Sequence, residues 1–231
     1  MKYIFVVNPV SGKTDAGKMM VPKIKAAAEA EGIEPQFLFT EHPKHATQLA
    51  ADIGKSGEAV RLFAVGGDGT LNEVLAGAYP YKNVEVGSIP VGSGNDFVRN
   101  FGTAEDFLDF PGQLAGTALD IDLMQVDEGI SAAITSVGLD ADVAYKIPKS
   151  RRIPLLGGSM AYNISIAENL LKPMGKKVAV TIDGKRREGN YLIATVCNGQ
   201  TYGGGFCAAP VASLTDGILD IILVQKVSRL R

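Results

Sequence analysis

The sequence predicts an α/β protein in which a parallel-sheet domain is followed by a mainly antiparallel one. Over the first half, short β-rich apolar runs alternate with helix-like stretches, and glycine-bearing loops stand after three of the runs. From about Ala118, strand-like runs follow one another through turns instead. Alternation of the first kind implies βα units on a parallel sheet with helices on both faces.

The first element is the apolar run over residues 3–7, which Asn8-Pro9 cuts short. It has no small-residue cleavage site behind it, so it reads as a buried strand and not as a signal peptide. A helix over 17–31, a strand over 35–39, a helix over 44–53, a strand over 60–65, a helix over 70–78 and a strand over 84–89 continue the rhythm. Later strands are expected over 119–126, 131–137, 177–182, 191–197 and 218–224, with one helical insert over 159–171. Asp183-Gly184 between Ile182 and Lys185 is a hairpin turn. The expected division is a nucleotide-binding domain over 1–118 and a β-rich domain over 119–231.

With 231 residues and 46% hydrophobic side chains, the chain can bury one large core or two modest ones. A formal charge of −2 gives no overall basic field, so no nucleic-acid partner is expected and an anionic ligand must meet a local patch. Cys197 and Cys207 match neither a zinc knuckle nor a redox pair and read as two buried thiols in a reducing cytoplasm. No run of about 18 apolar residues is present to span a membrane.

In open parallel sheets, ligands sit beyond the carboxyl ends of the strands, where the three loops fall. Asn8-Pro9-Val10-Ser11-Gly12-Lys13-Thr14 ends like a P-loop, but Val7 stands where that motif requires its first glycine. Taken alone it is an anion-binding loop or a structural turn. Gly66-Gly67-Asp68-Gly69-Thr70 leaves a strand and enters a helix. Its glycines permit close approach to phosphate, and Asp68 offers a carboxylate to Mg²⁺ or a substrate hydroxyl; a tight turn capped by Asp68 or Thr70 is the alternative. Pro90-Val91-Gly92-Ser93-Gly94-Asn95-Asp96-Phe97 repeats the combination of small residues, hydroxyl and carboxylate. Ser93 is not a hydrolase nucleophile, since Val91 and Asn95 replace the elbow glycines and no histidine follows His45. His42 and His45 read as surface residues at a helix start.

Together, the Asn8 loop, the run from Gly66 to Val74 and the Pro90 to Phe97 loop resemble the diacylglycerol kinase catalytic-domain family, in particular its soluble bacterial lipid kinases. Asp120-Ile121-Asp122, Gly138-Leu139-Asp140-Ala141 and Thr215-Asp216-Gly217-Ile218-Leu219-Asp220 extend the resemblance. It implies a two-domain ATP-dependent kinase with a β-sandwich second domain, diacylglycerol as the acceptor and phosphatidic acid as the product. It further implies that Asn8, Ser11 and Gly12 flank phosphate, that Thr40 lies near the nucleotide, that Gly66, Gly67, Asp68, Gly69, Thr70, Leu71 and Asn72 wrap the triphosphate, and that Ser93 completes the pocket. Asp68, Asp96 and Asp122 match carboxylates tied to catalytic Mg²⁺; Ser213, Asp216 and Ile218 match a separate structural Mg²⁺ site. A buried hairpin aspartate and a turn residue are the plainer readings of Asp122 and Asp216.

Relatives of this kind continue past the position of Arg231 into an Asp-Gly-Glu element holding the general base. The expectation is therefore either a truncated protein or another carboxylate, such as Asp68, in that role. Lys149, Arg151 and Arg152, among prolines and leucines, form either a loop facing anionic headgroups at a membrane surface or a solvated loop. Lys185-Arg186-Arg187 serves to keep a hairpin soluble. The remaining functional alternatives are a relative that binds nucleotide and Mg²⁺ without turnover, a sphingoid-base kinase and an NAD kinase. A homodimer is open.

Overall fold

The computed structural model describes residues 1–12, 15–142 and 175–226. Lys13 and Thr14, the expected helix over 159–171, and Lys149, Arg151 and Arg152 lie outside the described residues. The chain divides into two compact units, Met1–Ala133 with Asn198–Ile218, and Ile134–Cys197 with Leu219–Arg231.

In the first unit, β1 (Lys2–Val7), α1 (Ala16–Ala30), β2 (Pro35–Phe39), α2 (His45–Lys55), β3 (Val60–Gly66), α3 (Asp68–Ala78) and β4 (Val84–Pro90) follow in order. The strands form one parallel sheet in the order β2-β1-β3-β4. Strand order reverses between β1 and β3, which makes their carboxyl ends the topological switch point. Alternate residues point to opposite faces. Ile4, Val6, Leu62 and Ala64 pack against Ala46 and Ala50 of α2 and Val74 and Leu75 of α3. Phe5, Val7, Phe63 and Val65 pack on the other face against Met20, Ile24 and Ala28 of α1. Two buried faces explain why these strands are continuous apolar runs and not alternating ones. The Phe5 and Phe63 rings stack at 4.8 Å.

Local chemistry sets the helix limits. Asp15 Oδ1 accepts from Lys18 N at 3.2 Å and starts α1, and Gly32, at φ +69°, follows its end. Sequence reading did not find α4 (Phe110–Ala115), whose Leu114 closes the Phe5 face, nor the 3₁₀ turns Val98–Asn100 and Asp106–Leu108. Pro111 at the first turn of α4 was the available signal.

Two strand expectations are corrected beyond residue 118. Of the strand over 119–126, only β5 (Met124–Val126) forms, because the upstream backbone bonds elsewhere: Asp122 N donates to Leu214 O at 2.7 Å. The strand over 131–137 splits into β6 (Gly129–Ser131) and β7 (Ile134–Gly138). Between them, Ala133 O accepts from Asn198 N and Gly199 N, and Ala132 O accepts from Asn198 Nδ2, so these carbonyls leave the ladder. Those same bonds lie within the first compact unit, which holds Met1–Ala133 and Asn198–Ile218.

In the second unit, β8 (Lys176–Ile182), β9 (Lys185–Cys197) and β12 (Asp220–Gln225) join β7 in an antiparallel sheet. The thirteen-residue β9 pairs with β8 along its first half, with β7 along its second, and with β12 on the other edge. Asp183 and Gly184 both have positive φ, 47° and 76°, which suits a two-residue hairpin matched to strand twist. Cys197 is buried at the end of β9, and burial, then Asp220 and Asp140, pushes its thiol up to about 11. Cys207 is exposed, contrary to expectation. It sits in the small hairpin of β10 (Thr201–Tyr202) and β11 (Phe206–Cys207) and not in a core strand.

Candidate active site

Three loops meet at the switch point, each anchored to the next by the sheet. Asn8 N continues the ladder to Val65 O at 3.0 Å, Thr40 N donates to Val7 O at 2.9 Å, and Val91 N donates to Gly66 O at 2.8 Å. Glycine is required where the loops touch. A methyl group on Gly12, already at φ +79°, would collide with Val91 O, and one on Gly67 would lie 3.1 Å from Gly92 Cα. Asn95, at φ +55°, turns its Nδ2 onto Gly92 O at 3.0 Å and holds the Pro90 loop in shape.

The Gly66 loop runs directly into α3. Gly67 is the N-cap and supplies no side-chain cap, so the first amides of α3 keep the unsatisfied donors of a helix start. Asp68 occupies the first turn. Asp68 Oδ1 accepts from Phe97 N at 3.0 Å and clasps the third loop. A Cβ on Gly94 would lie 2.9 Å from Asp68 Oδ2 and 3.3 Å from Asp96 Oδ2, so the two carboxylates flank one glycine. Gly69 has nothing within 4 Å of its Cβ position and opens to free space.

The other sequence-selected residues divide into those at the crevice and those behind it. Ser11 N donates to Asn8 O at 3.2 Å, and Ser93 is exposed in the Pro90 loop. Thr70 is 6% exposed and turns inward beneath Gly66, where its Oγ1 accepts from Asn8 Nδ2 at 3.0 Å. Leu71 is buried in the core and its N–H is held by Gly67 O at 3.1 Å. Asn72 donates to Ile130 O at 3.4 Å. Thr70, Leu71 and Asn72 are thus supports behind the loop.

Asp122 joins a different group. Its Oδ2 accepts from Gly217 N at 2.7 Å and its carbonyl accepts from Asn198 Nδ2 at 2.8 Å. In the same turn Asp216 Oδ1 accepts from Ile218 N at 3.0 Å, and Ser213 Oγ accepts from Thr215 N at 3.3 Å. Among the described residues no three His, Cys, Asp or Glu side chains come together as a metal site, so a cation at either place would draw on backbone carbonyls, phosphate or water as well. Two carboxylates converging on one glycine, Gly94, suit the hard, partly hydrated Mg²⁺ ion.

Sequence reading missed the returning segment around Gly203-Gly204-Gly205. Asp96 Oδ2 accepts from Gly204 N at 2.8 Å, and Asp96 Oδ1 accepts from Gly205 N at 2.6 Å. The glycine triplet was the signal that could have found it.

Comparison with known proteins places this geometry. The model of the diacylglycerol kinase catalytic domain matches residues 2–126, and that of the YegS C-terminal NAD kinase beta sandwich-like domain matches 133–231. Diacylglycerol kinase of Bacillus subtilis (strain 168) is 32% identical over 224 residues, which cover 96% of this chain and 73% of the relative. Diacylglycerol kinase of Staphylococcus carnosus (strain TM300) is 28% identical, with 96% and 72% covered. The crystal structure of a diacylglycerol kinase from Bacillus anthracis str. Sterne is similar with a TM-score of 0.70 and 25% identity, over 97% of this chain and 73% of that one. The three converging loops and the antiparallel second unit are therefore those of a lipid-kinase fold, and the chain belongs to the diacylglycerol kinase catalytic-domain family.

Proposed function

We propose that this protein is an ATP-dependent lipid kinase that transfers the γ-phosphoryl group to the free hydroxyl of diacylglycerol. The observation that carries the reading is the pair of carboxylates, Asp68 and Asp96, flanking Gly94 at the uncapped start of α3. Phosphoryl transfer asks a protein mainly for positioning and charge stabilisation. The amides at the start of α3 and the positive end of its dipole hold anionic phosphate. Asn8, Ser11 and Gly12 close one side of the phosphate site, Ser93 closes the other, and Thr40 borders the nucleotide. Gly66, Gly67 and Gly69 let the backbone come close, while Thr70, Leu71 and Asn72 fix that backbone from behind. Asp68, Asp96 and Asp122 would hold the catalytic Mg²⁺, which would supply charge neutralisation on the transferring group. Asp216 and the carbonyls of Ser213 and Ile218 would hold a second, structural Mg²⁺. Lys149, Arg151 and Arg152 bring the enzyme to an anionic bilayer, where its acceptor resides.

The test is incubation with γ-labelled ATP, Mg²⁺ and mixed micelles of diacylglycerol, with a sphingoid base and NAD as parallel acceptors. Labelled phosphatidic acid is the expected product. Asp68→Asn keeps an oxygen for Phe97 N but removes the charge, and is expected to lower turnover by roughly 10²-fold or more with the melting temperature preserved. Nucleotide binding without product on any acceptor would replace the reading with a non-catalytic binder, and label on NAD alone would replace the acceptor.

A further inference from the structure

The returning segment makes more bonds to the third loop than a connection needs. Gln200 N donates to Asn100 Oδ1 at 2.8 Å, and Asn100 Nδ2 donates back to Phe97 O at 2.7 Å. Thr201 Oγ1 donates to the backbone carbonyl of Asp96 at 3.1 Å. Gly204 and Gly205 then give one amide to each oxygen of the Asp96 carboxylate. Asp96 is gripped at its main chain and at both side-chain oxygens by residues that lie more than 100 positions later in the chain.

The conformation of the segment serves that grip. Gly203, Gly204 and Gly205 all have positive φ, 67°, 89° and 105°, the region that L side chains rarely adopt. Successive amides in such a turn converge on one anion, as in a backbone nest. Gly203 and Gly204 have nothing within 4 Å of their Cβ positions, so packing does not explain the glycine there. Gly199 has a different reason. A Cβ on it would lie 3.0 Å from Asn100 Oδ1, so glycine lets the segment lie flat on the asparagine. Arg99 Nε lies 3.7 Å from Asp96 Oδ1 with its side chain 43% exposed, which adds weak attraction and no comparable orientation.

We infer that residues 199–205 form a strap that sets the Asp96 carboxylate for the reaction, and that Asn100 is its positioning residue. This rests on the proposed function, because it assumes that Asp96 serves Mg·ATP. Asn100 bonds to Phe97 O and to Gln200 N. It anchors the strap at Gln200, and the strap delivers the two amides that orient Asp96. Without the anchor the carboxylate keeps its place in the chain but loses its aim.

The experiment is a double-mutant cycle read by turnover and by Mg²⁺-dependent ATP affinity. Asn100→Ala is expected to lower turnover on the order of 10- to 100-fold in the wild-type background, the loss that follows misplacement by about 1 Å. In an Asp96→Asn background it is expected to change little, because residues acting through one group are not additive. Gly204→Ala, at an open turn tip, is expected to behave the same way and serves where Asn100→Ala fails to fold. An independent readout is the pair of Gly204 and Gly205 amide signals in labelled protein, which should move together in Asn100→Ala and in Asp96→Asn. Equal losses in both backgrounds, or wild-type turnover in both single variants, would overturn the strap and leave the kinase reading intact. A wild-type protein that neither binds nor turns over nucleotide would overturn both.

Discussion

Gly69→Ala separates a ligand-binding glycine from a folding glycine. Gly69 lies in the first turn of α3, outside the positive-φ region, and its Cβ position has no neighbour within 4 Å. Nothing in the fold asks for glycine at this position. Replacing a helical glycine by alanine stabilises by about 0.4–1 kcal/mol through the unfolded chain's entropy. For a protein of this size, that is a rise in melting temperature of roughly 1–4 °C. If phosphate approaches this backbone, the methyl group stands in its way, and a loss of about 1.4 kcal/mol or more would weaken ATP binding at least tenfold. Calorimetric titration with Mg·ATP and thermal unfolding of the same sample measure both quantities. Gly66→Ala is the control, since its methyl group would meet Thr70 Cβ at 2.5 Å and should cost about 1–3 kcal/mol of stability by overpacking. Unchanged ATP affinity in a stable Gly69→Ala protein would refute the placement of phosphate at the start of α3.

Two further predictions concern buried polar groups. Thr70→Val keeps the shape under Gly66 but strands Asn8 Nδ2, and is expected to cost about 1–3 kcal/mol in denaturant unfolding. A cost below the error of measurement would show that Asn8 finds another partner. The two thiols should differ: Cys207 is expected to react quickly with an aromatic disulfide at neutral pH, and Cys197 only on unfolding. Because the folded Cys197 thiol is raised from 9.0 to about 11, the unfolded chain loses that proton first. Stability from this group is present below pH 9 and declines between about 9 and 11, a decline that Cys197→Ala should remove. Two fast-reacting thiols in the native protein would contradict the burial.

Much of the first unit was legible because its signals are local. β1, β2, β3 and β4 announce themselves as apolar runs, and the strand over 35–39 was placed to the residue. The glycines at 12, 66 and 67 and the carboxylates Asp68 and Asp96 could be chosen from three loops following three strands. Sequence distance hid the rest. The break at Ala132 and Ala133 depends on Asn198, the loss of a strand over 119–123 on Leu214, and the setting of Asp96 on Gly204 and Gly205. A backbone group carries no mark of a partner many tens of residues away, so propensity wrote strands where carbonyls were already engaged.

By itself, then, the sequence determined the βα rhythm, the hairpin at Asp183-Gly184 and which loops carry chemistry, because hydrophobic period and turn residues act over a few positions. Tertiary structure decided which residues of those loops face out. It turned Thr70 and Leu71 inward, grouped Asp122 with the Ser213 to Ile218 turn, and brought residues 199–205 back onto Asp96. Those outcomes depend on hydrogen-bond satisfaction and close packing between distant segments, which exist only once the chain has folded.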